Sequence, residues 1–264
     1  MPKQLKDIVV KNESLASDIY RLTIESEYIS KNAVPGQFVN IKCSEGFEAL
    51  LRRPISICSA DCNKGTYDII FRNKGIGTSL LANKKKGDAL DVLGPLGNGF
   101  SLDFKYTRIA VVGGGIGIFP LLFILKESKA AIKKAYIGFR TKEQVILEEE
   151  FKQWASSLEI ATDDGSYGYE GVATDLLKRD IGASGYDIIY SCGPMPMMKK
   201  ATEIASAEGI SIQVSLEQRM GCGFGACLAC ACKTKALEGG WQFSHVCKDG
   251  PVFDGRTVIF DADR

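Results

Sequence analysis

Hydrophobic and polar positions change their rhythm twice along the chain. Over residues 19–25 they alternate singly, Ile19, Arg21, Thr23 and Glu25 on one face and Tyr20, Leu22 and Ile24 on the other, which predicts a half-buried strand. Short runs at 37–43, 54–58 and 66–72 follow, punctuated by Pro35-Gly36, Asn63-Lys64-Gly65 and Gly75. Strands so short and so regularly interrupted predict a small closed barrel or sandwich. Thr78 is expected to cap a short helix over 79–84, and Gly94-Pro95-Leu96-Gly97-Asn98-Gly99 is the expected boundary of this region. From about residue 107 strands alternate with helices: strands at 108–112, 134–139, 158–162 and 187–192, helices at 119–128, 142–157, 174–179 and 195–208. That order implies a parallel sheet covered on both faces. After about residue 213 the chain is dense in glycine and cysteine and has no long period. The expectation is an α+β multidomain fold: an antiparallel β-barrel over 1–102, an α/β parallel-sheet domain over 103–212 and a small C-terminal module over 213–264.

Composition narrows the chemistry. In 264 residues, 45% are apolar, enough for full-sized cores, and 33 Lys+Arg face 32 Asp+Glu, so no charge excess argues for nucleic acid or an acidic membrane surface. The single histidine, His245, leaves little room for His-based metal sites or Ser-His-Asp chemistry. The first residues show no apolar segment of the secretory type. The charge-free stretch Ile109–Leu125 is 17 residues long but contains Gly113-Gly114-Gly115-Ile116-Gly117 and Pro120, which suit a turn better than a membrane span. A reducing, cytoplasmic compartment is expected, where clustered cysteines signal metal or redox work.

Nine cysteines are present, and five fall within 26 residues: Cys222, Cys227, Cys230, Cys232 and Cys247. Four of them give the spacing C-x4-C-x2-C-x16-C, the opening pattern of plant-type [2Fe–2S] proteins. Two irons need four thiolates; a tight loop wraps three around one side, and Cys247 supplies the fourth from a return segment. Glycines 221, 223 and 225 permit unusual backbone angles and let amide N–H groups approach sulfur. A structural zinc site is the rival, but zinc usually takes two short-spaced pairs and only one C-x2-C exists. Cys232 has no place in the four-ligand pattern and is expected to pack as a small residue.

Other signals are weaker one by one. Val111-Val112-Gly113-Gly114-Gly115-Ile116-Gly117-Ile118-Phe119-Pro120 sits where a strand feeds a helix. Such a turn either cradles a pyrophosphate or is simply structural, and Pro120 in the third-glycine slot departs from the dinucleotide fingerprint. Cys192-Gly193-Pro194 after a strand is as compatible with a plain glycine turn and a buried thiol. Arg53, with the amides at Gly77-Thr78, suits a diphosphate, though a solvated basic patch fits equally well.

Taken together, these blocks resemble the ferredoxin–NAD(P) reductase superfamily and, more closely, the electron-transfer subunits of type B dihydroorotate dehydrogenases. The matching segments are Leu51-Arg52-Arg53-Pro54-Ile55-Ser56-Ile57, Asp91–Phe100, Thr162–Gly168, Ser191–Met198, Glu217–Gly223 and Val246–Phe253, covering nearly the whole chain. Gln218 departs from the acidic residue expected there. The resemblance implies an FAD barrel, a nicotinamide-binding domain and a [2Fe–2S] module. It implies FAD contacts at Arg53, Pro54, Ile55, Ser56, Ile70, Phe71, Arg72, Gly77 and Thr78. Nicotinamide-site positions are Gly113, Gly114, Gly115, Gly117, Cys192, Gly193 and Pro194, and the cluster ligands are Cys222, Cys227, Cys230 and Cys247. It further implies a partner: an FMN-containing catalytic subunit, two of each chain, with electrons passing from dihydroorotate through partner FMN, cluster and FAD to NAD⁺ in pyrimidine synthesis. No membrane or nucleic-acid partner is implied, and no acid–base dyad for dihydroorotate is needed in this chain. The alternative is a related small subunit of a ferredoxin- or sulfide-linked NAD(P)H oxidoreductase. A non-enzymatic zinc or redox-sensing module is the reading from another class.

Overall fold

The structure, a computed structural model, describes all residues except Glu45, Phe47 and 261–264. Its first part is a closed antiparallel barrel of β1 (Lys3–Ala16), β2 (Ile19–Glu25), β3 (Phe38–Lys42), β4 (Arg53–Asp61), β5 (Thr66–Arg72) and β6 (Ala89–Leu96), in the spatial order β1-β2-β5-β4-β3-β6. Single alternation explains the barrel. On β2, Leu22 and Ile24 point inward and are fully buried with Val39, Ile41, Ile57, Ile69 and Val92. Helices α1 (Glu27–Asn32) and α2 (Ile76–Ala82) add Ile29 and Leu81 to the same core. The opposite face of β2 is also partly buried: Ile19 packs in the core of the next domain and Arg21 pairs with Glu150 there at 2.7 Å.

Strand β1 was not expected. Its inward positions include Asp7, only 5% exposed, so the pattern lacks an apolar residue where a strand reader looks for one. Tyr67 donates to Asp7 Oδ2 at 3.2 Å. Burial raises the Asp7 carboxyl from 3.8 to about 6, against the hydrogen bonds from Ser26 and Tyr67 that lower it. Between those two pH values the unfolded chain releases a proton that the folded chain keeps, so stability falls as pH rises through this window and stays reduced above it. Asp7→Asn is therefore expected to stabilise the fold at pH 7 by about 1–2 kcal/mol, allowing for partial solvation, and to do so little at pH 4. Denaturant unfolding at both pH values checks this; equal gains at both would contradict the assignment.

The second part is a seven-stranded sheet. It comprises β7 (Arg108–Gly114), β8 (Ile132–Phe139), β9 (Ser157–Thr162), β10 (Tyr169–Glu170), β11 (Ile188–Cys192), β12 (Ser211–Ser215) and, from the tail, a strand at Val252–Asp254. The order is β10-β9-β8-β7-β11-β12 and then the tail strand, all parallel except the last. Helices α3 (Phe119–Glu127) and α4 (Glu148–Trp154) cover one face; α5 (Ala173–Ser184) and α6 (Met195–Ala207) cover the other. The charge-free stretch 109–125 becomes β7, a 3-10 turn and α3, and no helix of the described residues is long and apolar enough to cross a membrane. The helix expected over 142–157 is broken: a 3-10 turn at Lys142–Gln144 precedes α4, with Leu147 at φ 61 between them. The apolar run Val145-Ile146-Leu147 turns into the core, and helix resumes at Glu148-Glu149-Glu150, where acidic side chains suit the N-terminus.

The tail adds a hairpin, β13 (Ala231–Lys235) and β14 (Trp241–His245), before β15 (Val252–Asp254) joins β12. Its buried pair is polar, Thr234 Oγ1 with Ser244 Oγ at 2.8 Å, so hydropathy gives no sign of it. The expected division after residue 212 falls inside β12. Within the expected boundary segment Gly94–Gly99, Gly94-Pro95-Leu96 completes β6, and Asn98 docks on the tail, its N–H donating to Gly250 O at 2.6 Å. The bare Cα of Gly97 makes that approach possible, since a Cβ would lie 2.5 Å from Pro251 Cδ.

Candidate functional site

Three regions hold the site residues expected from the sequence. The first is Arg53 over α2. Arg53 opens β4 beside Ile41 of β3, and its guanidinium lies on Gly77, where a Cβ would stand 2.8 Å from Nε and 2.9 Å from Cζ. Only glycine admits that approach. The helix differs from expectation: Gly75, not Thr78, is its N-cap, and α2 starts at Ile76. Thr78 is the third helical residue; its Oγ1 accepts from the amides of Lys74 (2.9 Å) and Gly75 (3.1 Å) and folds the preceding loop onto the helix. An open groove of about 520 Å³ runs along Asn73, Lys74, Gly75, Ile76, Ser79 and Asn83. A cation, a glycine-lined approach and an acid-free first helical turn together suit a diphosphate. Of the other expected contacts, Pro54 and Ser56 lie on the partly exposed outer face, and Arg72 pairs with Asp18 at 3.0 Å. Ile70 packs in the interdomain core, while Ile55 and Phe71 turn into the barrel, which leaves only their main chain for a ligand.

The second loop pair lies at the carboxyl ends of β7 and β11. Strand order reverses direction there, β8 and β9 running to one side and β12 to the other, which is where open parallel sheets bind ligands. Gly117 touches the 192–194 turn so closely that a Cβ would sit 2.5 Å from Gly193 Cα and 2.6 Å from Cys192 O. Gly193 adopts φ 151, and a Cβ on it would meet Gly114 N at 2.9 Å. A Cβ on Gly113 would strike Leu121 at 2.6 Å; Gly115 has φ 54 and open space around it. Pro194 precedes α6 and packs near Gly114. The Cys192 thiol is pushed up to about 12 by burial, so it stays neutral and is no nucleophile at pH 7. The turns after β7 and β11 are thus packed backbone to backbone through Gly114, Gly117, Gly193 and Pro194, while Gly113 is buried against Leu121 and Ile118.

The third loop is Gly221–Cys230. The amides of Phe224 (3.4 Å), Ala226 (3.2 Å) and Cys227 (3.4 Å) all donate to Cys222 Sγ, and the Cys222 amide donates to Cys227 Sγ at 3.3 Å. Burial raises the Cys222 thiol, yet these donors outweigh it and hold the thiol down at about 6. That is a nest built for thiolate. Gly223 (φ 83), Gly225 (φ 91) and Leu228 (φ 58) supply the left-handed turns that aim the amides inward. Cys230 and Cys247 are buried, the Cys247 amide donating to Cys230 Sγ at 3.4 Å. Burial and the adjoining Cys230 push the Cys247 thiol up to about 12, so metal ligation there must displace a proton. Cys232 stands apart in the β13 ladder opposite Ser244, its thiol pushed up to about 11 by burial. Among the described residues no three His, Cys, Asp or Glu converge as a single-ion site. Four thiolates shared between two irons have no need to converge on one point, and the nest fits such a group.

The sequence reading missed the polar ties to this loop. Asn40 Nδ2 donates to Cys222 O at 2.9 Å, and Asn98 Nδ2 donates to Asp249 O at 3.0 Å. The signal was available at position 40: an amide inside the apolar run Phe38-Val39-Asn40-Ile41, on the face opposite Val39 and Ile41.

A barrel, a parallel sheet with two glycine turns at its switch point and a cysteine loop define an oxidoreductase of the ferredoxin-reductase class, with an iron–sulfur module at its end. Residues 6–100 match the family described as "Oxidoreductase FAD-binding domain", and residues 217–259 match "Iron-sulfur cluster binding domain of dihydroorotate dehydrogenase B". A relative from Geobacillus sp. (strain WCH70), called "Dihydroorotate dehydrogenase B (NAD(+)), electron transfer subunit", is 42% identical over 98% of this chain and 100% of its own length. One of the same name from Fusobacterium nucleatum is 42% identical over 93% of this chain and 94% of its own. The chain belongs to this family of electron transfer subunits. Among solved structures, a chain of an NADH-dependent reduced ferredoxin-NADP oxidoreductase, described for flavin-based electron bifurcation, is 34% identical with a TM-score of 0.85 over 99% of this chain and 92% of that one. A ferredoxin reductase of carbazole 1,9a-dioxygenase, 20% identical over 79% of this chain and 67% of that one with a TM-score of 0.63, shares the fold.

Proposed function

We propose that this chain carries electrons between NAD⁺ and an FMN-containing catalytic partner that oxidises dihydroorotate, in a cytoplasmic complex of two of each chain serving pyrimidine synthesis. The observation that carries this reading is the tie of the thiolate nest to the barrel strands: Asn40 of β3 holds Cys222 O and pairs directly with Pro54, next to Arg53, while the tail joins the sheet through β15. A bound flavin supplies the exchange between hydride transfer and single-electron transfer that nicotinamide and an iron–sulfur cluster each lack.

The chain's own residues divide the remaining work. Arg53 and the loop before α2 hold the FAD diphosphate, and Pro54 and Ser56 line the outer face of β4. Gly113–Gly117 and Cys192–Pro194 admit the nicotinamide. Cys222, Cys227, Cys230 and Cys247 hold the [2Fe–2S] cluster. Phe224 and Leu228, both more than half exposed beside exposed Cys227, offer the apolar face on which the partner docks. Proton abstraction from dihydroorotate falls to the partner, because the Cys192 thiol, raised by burial, is no general base at pH 7.

Gly77→Ala tests the flavin half. A Cβ there displaces the Arg53 guanidinium while alanine favours the helix, so FAD affinity is expected to fall by about 10- to 30-fold, the worth of a charge-assisted contact, with the fold intact. Titration of the apoprotein with FAD measures it; wild-type affinity would remove Arg53 from the site. The whole reading is tested by co-purification from cells expressing a tagged chain. An FMN protein should come down with it, with one FAD and about two irons per chain. Stoichiometric zinc without acid-labile sulfide would contradict the reading. The likeness to the ferredoxin-NADP oxidoreductase chain supports a second reading, a small subunit of such an enzyme, which recovery of a ferredoxin-reducing partner would favour.

A further inference from the structure

Asn40 joins the two redox sites at a point that neither the flavin motif nor the cysteine pattern includes. On β3 it pairs directly with Pro54, the second residue of the Arg53–Ser56 segment, and direct antiparallel partners project from the same face. Its neighbours Val39 and Ile41 fill the barrel, so Asn40 stands on the outer face, yet it is only 1% exposed because the cysteine loop covers it. Nδ2 donates to Cys222 O at 2.9 Å. The loop is fitted to that amide: a Cβ on Gly223 would come within 2.4 Å of Nδ2. From behind, Arg52 Nη1 donates to Asn40 O (3.3 Å) and to Asp91 O (2.9 Å), while Nη2 meets Asp91 Oδ1 at 2.8 Å. The amide is thus held on its main-chain side and committed through Nδ2. Its Oδ1 is buried with no hydrogen-bond partner among the described residues. An acceptor in that state calls for a donor that the polypeptide does not provide.

We propose that Asn40 is a positioning residue shared by both redox groups. Nδ2 fixes the cluster loop against the flavin-binding strand through the main chain of Cys222, and Oδ1 is the acceptor for a hydrogen-bond donor of the bound flavin, whose imide N–H and ribityl hydroxyls provide one. The inference rests on the assignment of FAD and cluster made above. It adds a physical reason for the two groups to keep a fixed separation: the amide is a single side chain bridging the strand under one and the loop around the other.

The test compares Asn40→Leu and Asn40→Asp in the full chain carrying FAD and cluster. At a pH where aspartate is ionised both variants lose the donor to Cys222 O; aspartate retains volume and an acceptor oxygen, which keeps the test open should leucine disturb packing. Rapid mixing with NADH reads flavin bleaching and cluster reduction separately, electron paramagnetic resonance reads the reduced cluster, and FAD titration reads flavin affinity. Flavin bleaching at saturating FAD gives, in each variant, the rate against which cluster reduction is compared. Cluster reduction should slow by about 10- to 100-fold in both variants, the usual cost of an outer-shell partner, with shifted resonance g values. FAD affinity should fall in Asn40→Leu and hold in Asn40→Asp. Unaltered cluster kinetics and resonance in both variants would overturn the bridging role; unaltered FAD affinity in Asn40→Leu would overturn the role of Oδ1. An unaltered chain that holds no cluster would instead defeat the underlying assignment, so the two failures are told apart.

Discussion

Cys230→Ser should strip the cluster from this chain, whereas Cys232→Ser, two residues away, should leave iron at about two per chain. The expectation comes from position rather than from acidity, since both Cys232 and Cys247 have thiols raised by burial. Cys230 sits at the buried end of the loop and accepts the amide of Cys247, which brings the last two sulfurs together. Cys232 belongs to a hairpin ladder and packs against the sheet core. A serine at 230 removes a ligand and the sulfur that accepts the Cys247 amide. At 232 the same change exchanges one small, partly buried side chain for another. Iron and acid-labile sulfide assays on the two purified variants decide it, and equal loss in both would mean that the ligand set is wrong.

Gly117→Ala should cut NADH oxidation with an artificial acceptor by about 100-fold in kcat/KM, the scale of a misplacement near 1 Å at a reacting centre. The new methyl would meet backbone on all sides, Gly193 Cα at 2.5 Å, Cys192 O at 2.6 Å and Gly193 N at 2.7 Å, with no flexible side chain able to yield. The 192–194 turn must move, and with it one side of the proposed nicotinamide site. FAD and iron contents should be unchanged, because neither the α2 groove nor the thiolate nest touches Gly117. A variant with wild-type NADH kinetics would place the nicotinamide elsewhere.

Much of this arrangement was legible before any coordinates. Barrel strands that alternate cleanly, such as Ile19–Glu25, announced themselves, and so did the apolar β7 followed by glycines. The cysteine spacing named its cofactor because ligand geometry constrains sequence directly. Two of the hidden elements share one physical cause: polar groups occupying interior positions. Asp7 masks β1, and the Thr234–Ser244 pair masks the hairpin. The capping of α2 was misread because a threonine three residues into the helix can fold the preceding loop with its hydroxyl as effectively as an N-cap residue does. The break before α4 was hidden because Val145-Ile146-Leu147 keeps a helical hydrophobic rhythm while turning into the core. Of the long-range ties, Arg21 to Glu150 leaves no local trace, and Asn40 to Cys222 shows only as an amide inside an apolar run.

The central claim is that dihydroorotate and NAD⁺ exchange electrons only through the redox groups held by this chain. Anaerobic NAD⁺ reduction by dihydroorotate should be measured with the chain alone, with the catalytic partner subunit added, and with the partner plus Cys222→Ser. The account predicts no reaction for the chain alone, rapid NADH formation for the pair, and near-complete loss with Cys222→Ser, while that variant still oxidises NADH through its FAD. NADH formation by the chain alone, or undiminished transfer through the Cys222→Ser complex, would contradict it.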